Sequence, residues 1–234
     1  GWALYYQQGD GAAIRYAAST DGQSFAAPAT VITGGAGAAA VRAPSAVLRE
    51  DGSVLLYYEV GSGAGVALAS GLLGAPLGGS VVLQPADIED PPGPGTAPQF
   101  WVDIGALRSP HAALTRGPAG HSLRLWFSAF GRESGDSYQF GEVIPIDPND
   151  SIGYAAASED APGVLEPWPF NPIFDRVEAF VDHRSELAPG VVQRTDRSGV
   201  PLASYLLYYV DAAPADAAGP TDLGRLGVAA NGDQ

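Results

Sequence analysis

At 234 residues, 46% of them hydrophobic, the chain can bury a sizeable core, and its 31 glycines and 20 prolines supply turns for many short strands. A formal net charge of −14, with twelve basic residues that are all arginine and not clustered, argues against nucleic acid or an anionic membrane as partner, because phosphate neutralisation needs grouped cations. Without cysteine there are no disulfides, thiolate metal sites or cysteine nucleophiles, and no apolar run reaches the roughly 18 residues of a membrane span.

The chain opens on an aromatic run, Trp2-Ala3-Leu4-Tyr5-Tyr6, followed by a small-residue run from Ile14 to Ser19 and the turn Ser-x-Asp-Gly-x-x-Phe (19–25). Asp and Gly there supply turn geometry. The next unit holds all the parts. Val41-Arg42-Ala43-Pro44 starts a strand, Asp51-Gly52 turns the chain, Val54 to Tyr58 is an aromatic strand, and Val66 to Ser70 is a small-residue strand. Short apolar runs separated by Asp-Gly and Gly-Ser-Gly read as an antiparallel meander.

The same order returns twice. It appears as Leu107-Arg108-Ser109-Pro110 with the aromatic run near Trp126 and a small-residue run from Ile152, and as Glu186-Leu187-Ala188-Pro189 with runs near Leu207 and Leu226. Unequal spacing of Pro44, Pro110 and Pro189 excludes a short-period solenoid, and meanders set radially about an axis fit better than a sandwich. The expected fold is all-β, a propeller with about four blades represented over a single domain, 1–234. The first blade begins mid-repeat without an inner strand, and the last lacks its outer one. The longest insertion, Gly131 to Ser151, is expected to be a surface loop whose Tyr138 and Phe140 could stack on a ligand, or simply pack as a flap.

Trp101-Val102-Asp103 precedes Pro110 by the same interval at which Phe180-Val181-Asp182 precedes Pro189. In a propeller, equivalent segments approaching the innermost strands converge on one axial cleft, which would bring Asp103 towards Asp182. Arg42, Arg108, His111, His183 and Glu186 lie close by in sequence. Carboxylates beside Arg and His could protonate a leaving oxygen and activate water, the two tasks of glycoside hydrolysis. Alternatively, the two aspartates only accept backbone N–H bonds that close each blade.

The segments IRYAASTDGQSF (14–25), VRAPSAVLREDGSVLLYYE (41–59), IGYAAASED (152–160) and ELAPGVV with YLLYYV (186–210) resemble scaffold motifs of the five-bladed β-propeller glycoside hydrolase superfamily. It includes arabinanases, β-xylosidases, invertases and levansucrases, of the family 43 and family 32 type. The resemblance implies a five-bladed β-propeller, incomplete in this chain, in a secreted, extracellular or periplasmic protein acting on an oligosaccharide or polysaccharide, with no cofactor beyond a structural Ca²⁺ near the axis, for which His111 is one place to look. It implies a general acid near the fourth inner strand, for which Glu186 is the candidate; Asp103 or Asp182 is then the candidate base from its spacing, with Arg42, Arg108, His111 and His183 near the blade entries and Tyr138 and Phe140 in the insertion as candidate substrate-binding residues. The chain departs from the family where an Asp commonly flanks the blade proline: here stand Ala43-Pro44-Ser45, Ser109-Pro110-His111 and Ala188-Pro189-Gly190. Since the family's base would lie on the inner strand that the first blade lacks, the chain alone is expected to show little turnover. A non-catalytic carbohydrate-binding propeller is the alternative. A six-bladed sialidase-like arrangement is the second fold reading, from the turn at 19–25 and a carboxylate clamp of Arg42 with Arg108, but Leu187 stands where a third arginine would be needed.

Overall fold

The computed structural model describes residues 1–34, 39–61, 63–88, 102–117, 120–132, 137–139, 142–144, 149–169, 171–173, 185–198, 200–212 and 225–230. Within them four meanders follow one another. The first comprises β1 (Trp2–Gln8), β2 (Ala13–Ser19) and β3 (Ala29–Thr33), and the second β4 (Val41–Leu48), β5 (Ser53–Val60), β6 (Gly65–Leu72) and β7 (Gly79–Leu83). The third takes β8 (Val102–Gly117) and β9 (Gly120–Arg132), passes through a separate hairpin of β10 (Ser137–Gln139) and β11 (Glu142–Ile144), and closes with β12 (Asn149–Ser158) and β13 (Glu166–Pro167). The fourth is β14 (Ser185–Thr195), β15 (Pro201–Ala212) and β16 (Arg225–Ala230). All pairings within these sheets are antiparallel.

Each of the four meanders is a blade. The inner strand β4 packs against β1 on one side and β8 on the other, and β8 packs in turn against β14. This places the expected second strands correctly: Leu56, Trp126 and Leu207 lie on β5, β9 and β15 between an inner and a third strand, while Leu4 lies on β1 at the edge of its sheet. The 131–151 insertion is more regular than a loop. Asn149 pairs with Gly131 and Asp150 with Phe130, so β9 and β12 run into it as a continued hairpin.

Burial explains the composition of the central strand. From Val54 to Glu59 every residue of β5 is buried, a pattern found when both faces of a sheet are covered. Its side chains still alternate. Leu55 and Tyr57 join a cluster with Leu107, Leu125 and Phe127 of the third blade, whereas Leu56 and Tyr58 join Ile14, Val31 and Val41 towards the first. A side chain such as the fully buried Phe127 contributes about 2–3 kcal/mol by leaving water. Trp2 and Leu4 of β1 are by contrast 64% and 42% exposed.

Tight aspartate turns join the strands. Asp21 accepts from the Gln23 and Ser24 N–H groups at 2.8 Å each and from the Ser19 hydroxyl at 2.8 Å, which lowers its carboxyl to about 2. That occupies the 19–25 turn structurally. Asp51 and Asp196 do the same with Ser53 and Ser198.

The blade prolines mark an unusual backbone. Ala43, Ser109 and Ala188, each immediately before its proline, have φ of 43°, 47° and 52°, and each inner-strand ladder skips register there. A left-handed non-glycine residue is costly, and proline further disfavours it at the preceding position. Ala43→Gly removes the Cβ clash at the expense of a more flexible unfolded chain, so the net expectation is a gain of up to about 1 kcal/mol, read as a higher urea midpoint at constant slope. A lower midpoint would show that the backbone is unstrained.

Candidate active site

The strained turn has a geometric result. Rotating Ala43, Ser109 and Ala188 out of the ladder aims their N–H groups at the preceding blade, where a side chain receives each one. Gln7 Oε1 accepts from Ala43 at 3.4 Å, the Glu59 carboxylate accepts from Ser109, and Ser128 Oγ accepts from Ala188 at 3.0 Å. The three acceptors occupy one repeat position, two residues after Tyr5, Tyr57 and Trp126; Arg42 pairs across the ladder with Glu59 and Arg108 with Ser128. In the fourth blade the corresponding partner of Leu187 is Val210.

Further contacts run in the same direction. The Leu107 N–H donates to Gly63 O at 2.8 Å and the Val41 N–H to Gly11 O at 3.0 Å. Both glycines have positive φ, and a Cβ on either would overlap the next blade, at Ala106 or Ala40 respectively. Ser45 Oγ accepts from the Ala112 N–H at 2.9 Å, and at the matching place His111 Nε2 donates to Val191 O at 3.1 Å. Burial holds the His111 imidazole below its ordinary value, so it is neutral at neutral pH.

Of the three acceptors, only Glu59 is ionisable. It is 6% exposed, and burial pushes its carboxyl up, opposed by the Ser109 N–H and by the Arg42 and Arg108 guanidinium groups. Arg42 Nη1 stands 4.0 Å from Glu59 Oε1, while Nη2 stands 3.6 Å from Oδ1 of Asp10, whose side chain is fully exposed. Two carboxylates on the two arms of one planar guanidinium lie no more than roughly 10 Å apart. Arg108 lies with its guanidinium carbon 5.3 Å from the centre of the Phe130 ring. A buried acid and a solvated one, joined through arginine beside the inner strands, form an acid–base pair in outline.

Of the residues singled out by the sequence, Arg42 and Arg108 thus share one neighbourhood around Glu59, with His111 three residues beyond Arg108 at the junction with the fourth blade. Asp182, His183 and Phe140 lie outside the described residues. For Asp103, Tyr138 and Glu186 only the strand position is described: Asp103 near the start of β8, Tyr138 on β10 opposite Val143, and Glu186 on β14 opposite Asp211. Sequence reasoning missed Glu59 and Asp10. The available signal was the repeat position at which Gln7, Glu59, Ser128 and Val210 succeed one another after aromatic residues.

A cavity of about 490 Å³ between the first two blades is lined by Val31, Ile32, Tyr58, Leu77 and Val81 among others, and its lining includes no carboxylate, arginine or histidine. Among the described residues no group of three or more His, Asp or Glu side chains could hold a metal ion, and no helix is long and apolar enough to cross a membrane.

Fold and site together define a β-propeller with an acid–arginine cluster beside its inner strands. No protein-family model matches the sequence, and no curated protein matches it. Among solved structures, a thermostable family-43 glycoside hydrolase aligns with a TM-score of 0.46 and 14% identity over 76% of this chain and 43% of that one. A Bifidobacterium bifidum s17 protein assigned as an exo-beta-1,3-galactanase aligns with a TM-score of 0.40 and 16% identity over 73% of this chain and 45% of its own. The chain spans less than half the length of either.

Proposed function

We propose that the chain forms part of a glycoside hydrolase-like propeller that cleaves glycan or furanoside substrates by acid/base hydrolysis, in an extracellular or periplasmic setting. The observation that carries this reading is Glu59. The adjacent blades receive the same backbone N–H with neutral side chains, Gln7 and Ser128, so an ionisable group is not needed there for structure. Burying a carboxylate where an amide would serve costs stability, and such costs are characteristic of functional positions.

In this reading Glu59, held towards its protonated form by burial, gives its proton to the departing glycosidic oxygen. Asp10, in contact with water, is placed to take a proton from the attacking water or to face the anomeric carbon, and Arg42 sets the spacing between the two. Asp103, Asp182 and Glu186 belong to the same proposal as further carboxylates of the inner-strand approach, and Arg108, His111, His183, Tyr138 and Phe140 as groups that hold the sugar. The chemistry needs only protein side chains; a Ca²⁺ near the axis remains what the sequence resemblance implies.

The test is prolonged incubation with aryl-furanoside and aryl-pyranoside substrates, beside calorimetric titration with oligosaccharides. Release of the aryl group that is lost in both Glu59→Gln and Asp10→Asn supports the pair. Release lost only in Glu186→Gln returns the acid role to Glu186, and binding with no release in any variant establishes the carbohydrate-binding alternative.

A further inference from the structure

The junctions between blades share one plan, in which side chains of each blade hold the backbone of the next. Gln7, Glu59 and Ser128 receive the left-handed N–H groups, Ser45 and His111 reach the following inner strand, and Tyr5 and Tyr57, at equivalent positions, meet the following blade at Gly74 N (3.5 Å) and Pro162 O (2.7 Å). Among the described acceptors of the left-handed N–H, only the one between the second and third blades can change its charge. We propose that this junction is a protonation-dependent clasp: with Glu59 neutral the second and third blades close on each other, and with Glu59 ionised the junction loosens. The proposal concerns the blade interface and does not depend on the hydrolytic reading.

The groups facing Glu59 decide the direction. Arg42 comes from its own sheet and is shared with Asp10 of the first blade; Arg108 and the Ser109 N–H come from the third blade; these are the charged and donor groups facing it among the described residues. Arg42 at 4.0 Å is long for an ion pair, and Arg108 also lies over Phe130. Together they fall short of the desolvation that closing imposes on the carboxylate, since its proton affinity rises above the ordinary 4.5. Closing therefore takes up a proton. A group with a raised value in the closed state favours that state fully below its open-state value, and the advantage disappears as pH climbs through the closed-state value. Protonation leaves the carboxyl oxygen able to accept from Ser109, so the contact survives while the cost goes.

The clasp is read by amide hydrogen exchange on the whole chain without substrate. Ser109 is compared with Ala43 and Ala188, whose acceptors do not titrate, each rate being normalised for intrinsic pH dependence. Between about pH 4 and about pH 7.5 the protection of Ser109 is expected to fall at least about threefold relative to the other two, and Glu59→Gln is expected to flatten this ratio. A constant ratio in the unmodified protein, or an unchanged slope in Glu59→Gln, overturns the proposal. Should that variant fold poorly, the carboxyl carbon of Glu59 in the unmodified protein supplies the second measurement. A carbon-13 midpoint that coincides with the fall in Ser109 protection supports the clasp, and one at or below the ordinary glutamate value overturns it.

Discussion

Glu59→Gln is expected to lower hydrolysis of aryl glycosides by about 10²–10⁴-fold, the usual contribution of a positioned general acid, while making the protein more stable at neutral pH. Glutamine keeps an oxygen for the Ser109 N–H, as Gln7 does for Ala43 one junction earlier, and removes a carboxylate that is nearly devoid of solvent. Exchanging a poorly compensated buried charge for a neutral group of the same shape is worth on the order of 1 kcal/mol. The sign follows from the raised value of Glu59: its ionisation penalty applies at neutral pH and fades on acidification, so variant and parent should melt together near about pH 4 and diverge above it. A variant that is destabilised at every pH would mean that the Arg42 pair outweighs desolvation. One that is stabilised but still fully active would leave Glu59 as a junction residue only.

The largest loss of stability is expected from Gly63→Ala, about 3–4 kcal/mol, measured by urea unfolding. Its φ of +93° strains any residue with a side chain, by about 1–2 kcal/mol. The added methyl would also collide with Ala106 of the third blade, where overpacking against backbone typically costs about 1–3 kcal/mol more and displaces the Gly63 O bond to the Leu107 N–H. Gly52→Ala is the internal control. Its φ is +82° but nothing lies within 4 Å of the new atom, so that change should cost only the conformational part. Equal losses in the two variants would show that the second and third blades are not in the close register described.

The repeat was legible because each part has a local physical signature. A proline ahead of a short apolar run, an Asp-Gly turn, an aromatic run and a small-residue run each obey rules that act within a few residues, and the copies at Pro44, Pro110 and Pro189 could be compared directly. Arg42 and Arg108 could be read in the same way, as matched positions on successive inner strands, and the charge of each acts on Glu59. The hairpin inside the 131–151 insertion was not found, since its continuation depends on pairing across the ladder rather than on local pattern.

Glu59 shows where local reading stops. In sequence it is the polar end of an apolar strand, a place where an exposed carboxylate would be unremarked, and Asp10 is a turn residue among glycines. The packing of the third blade against the second supplies the Ser109 N–H and brings the Arg108 charge to bear on the buried Glu59, while the β1–β2 turn carries Asp10 to the other arm of Arg42. The sequence by itself determined the strands, the turns and the all-β repeat, because hydrophobic alternation and turn chemistry act over neighbouring residues. The tertiary structure alone decided which carboxylate is desolvated and which arginines face it, because desolvation and charge pairing depend on residues far apart in the chain.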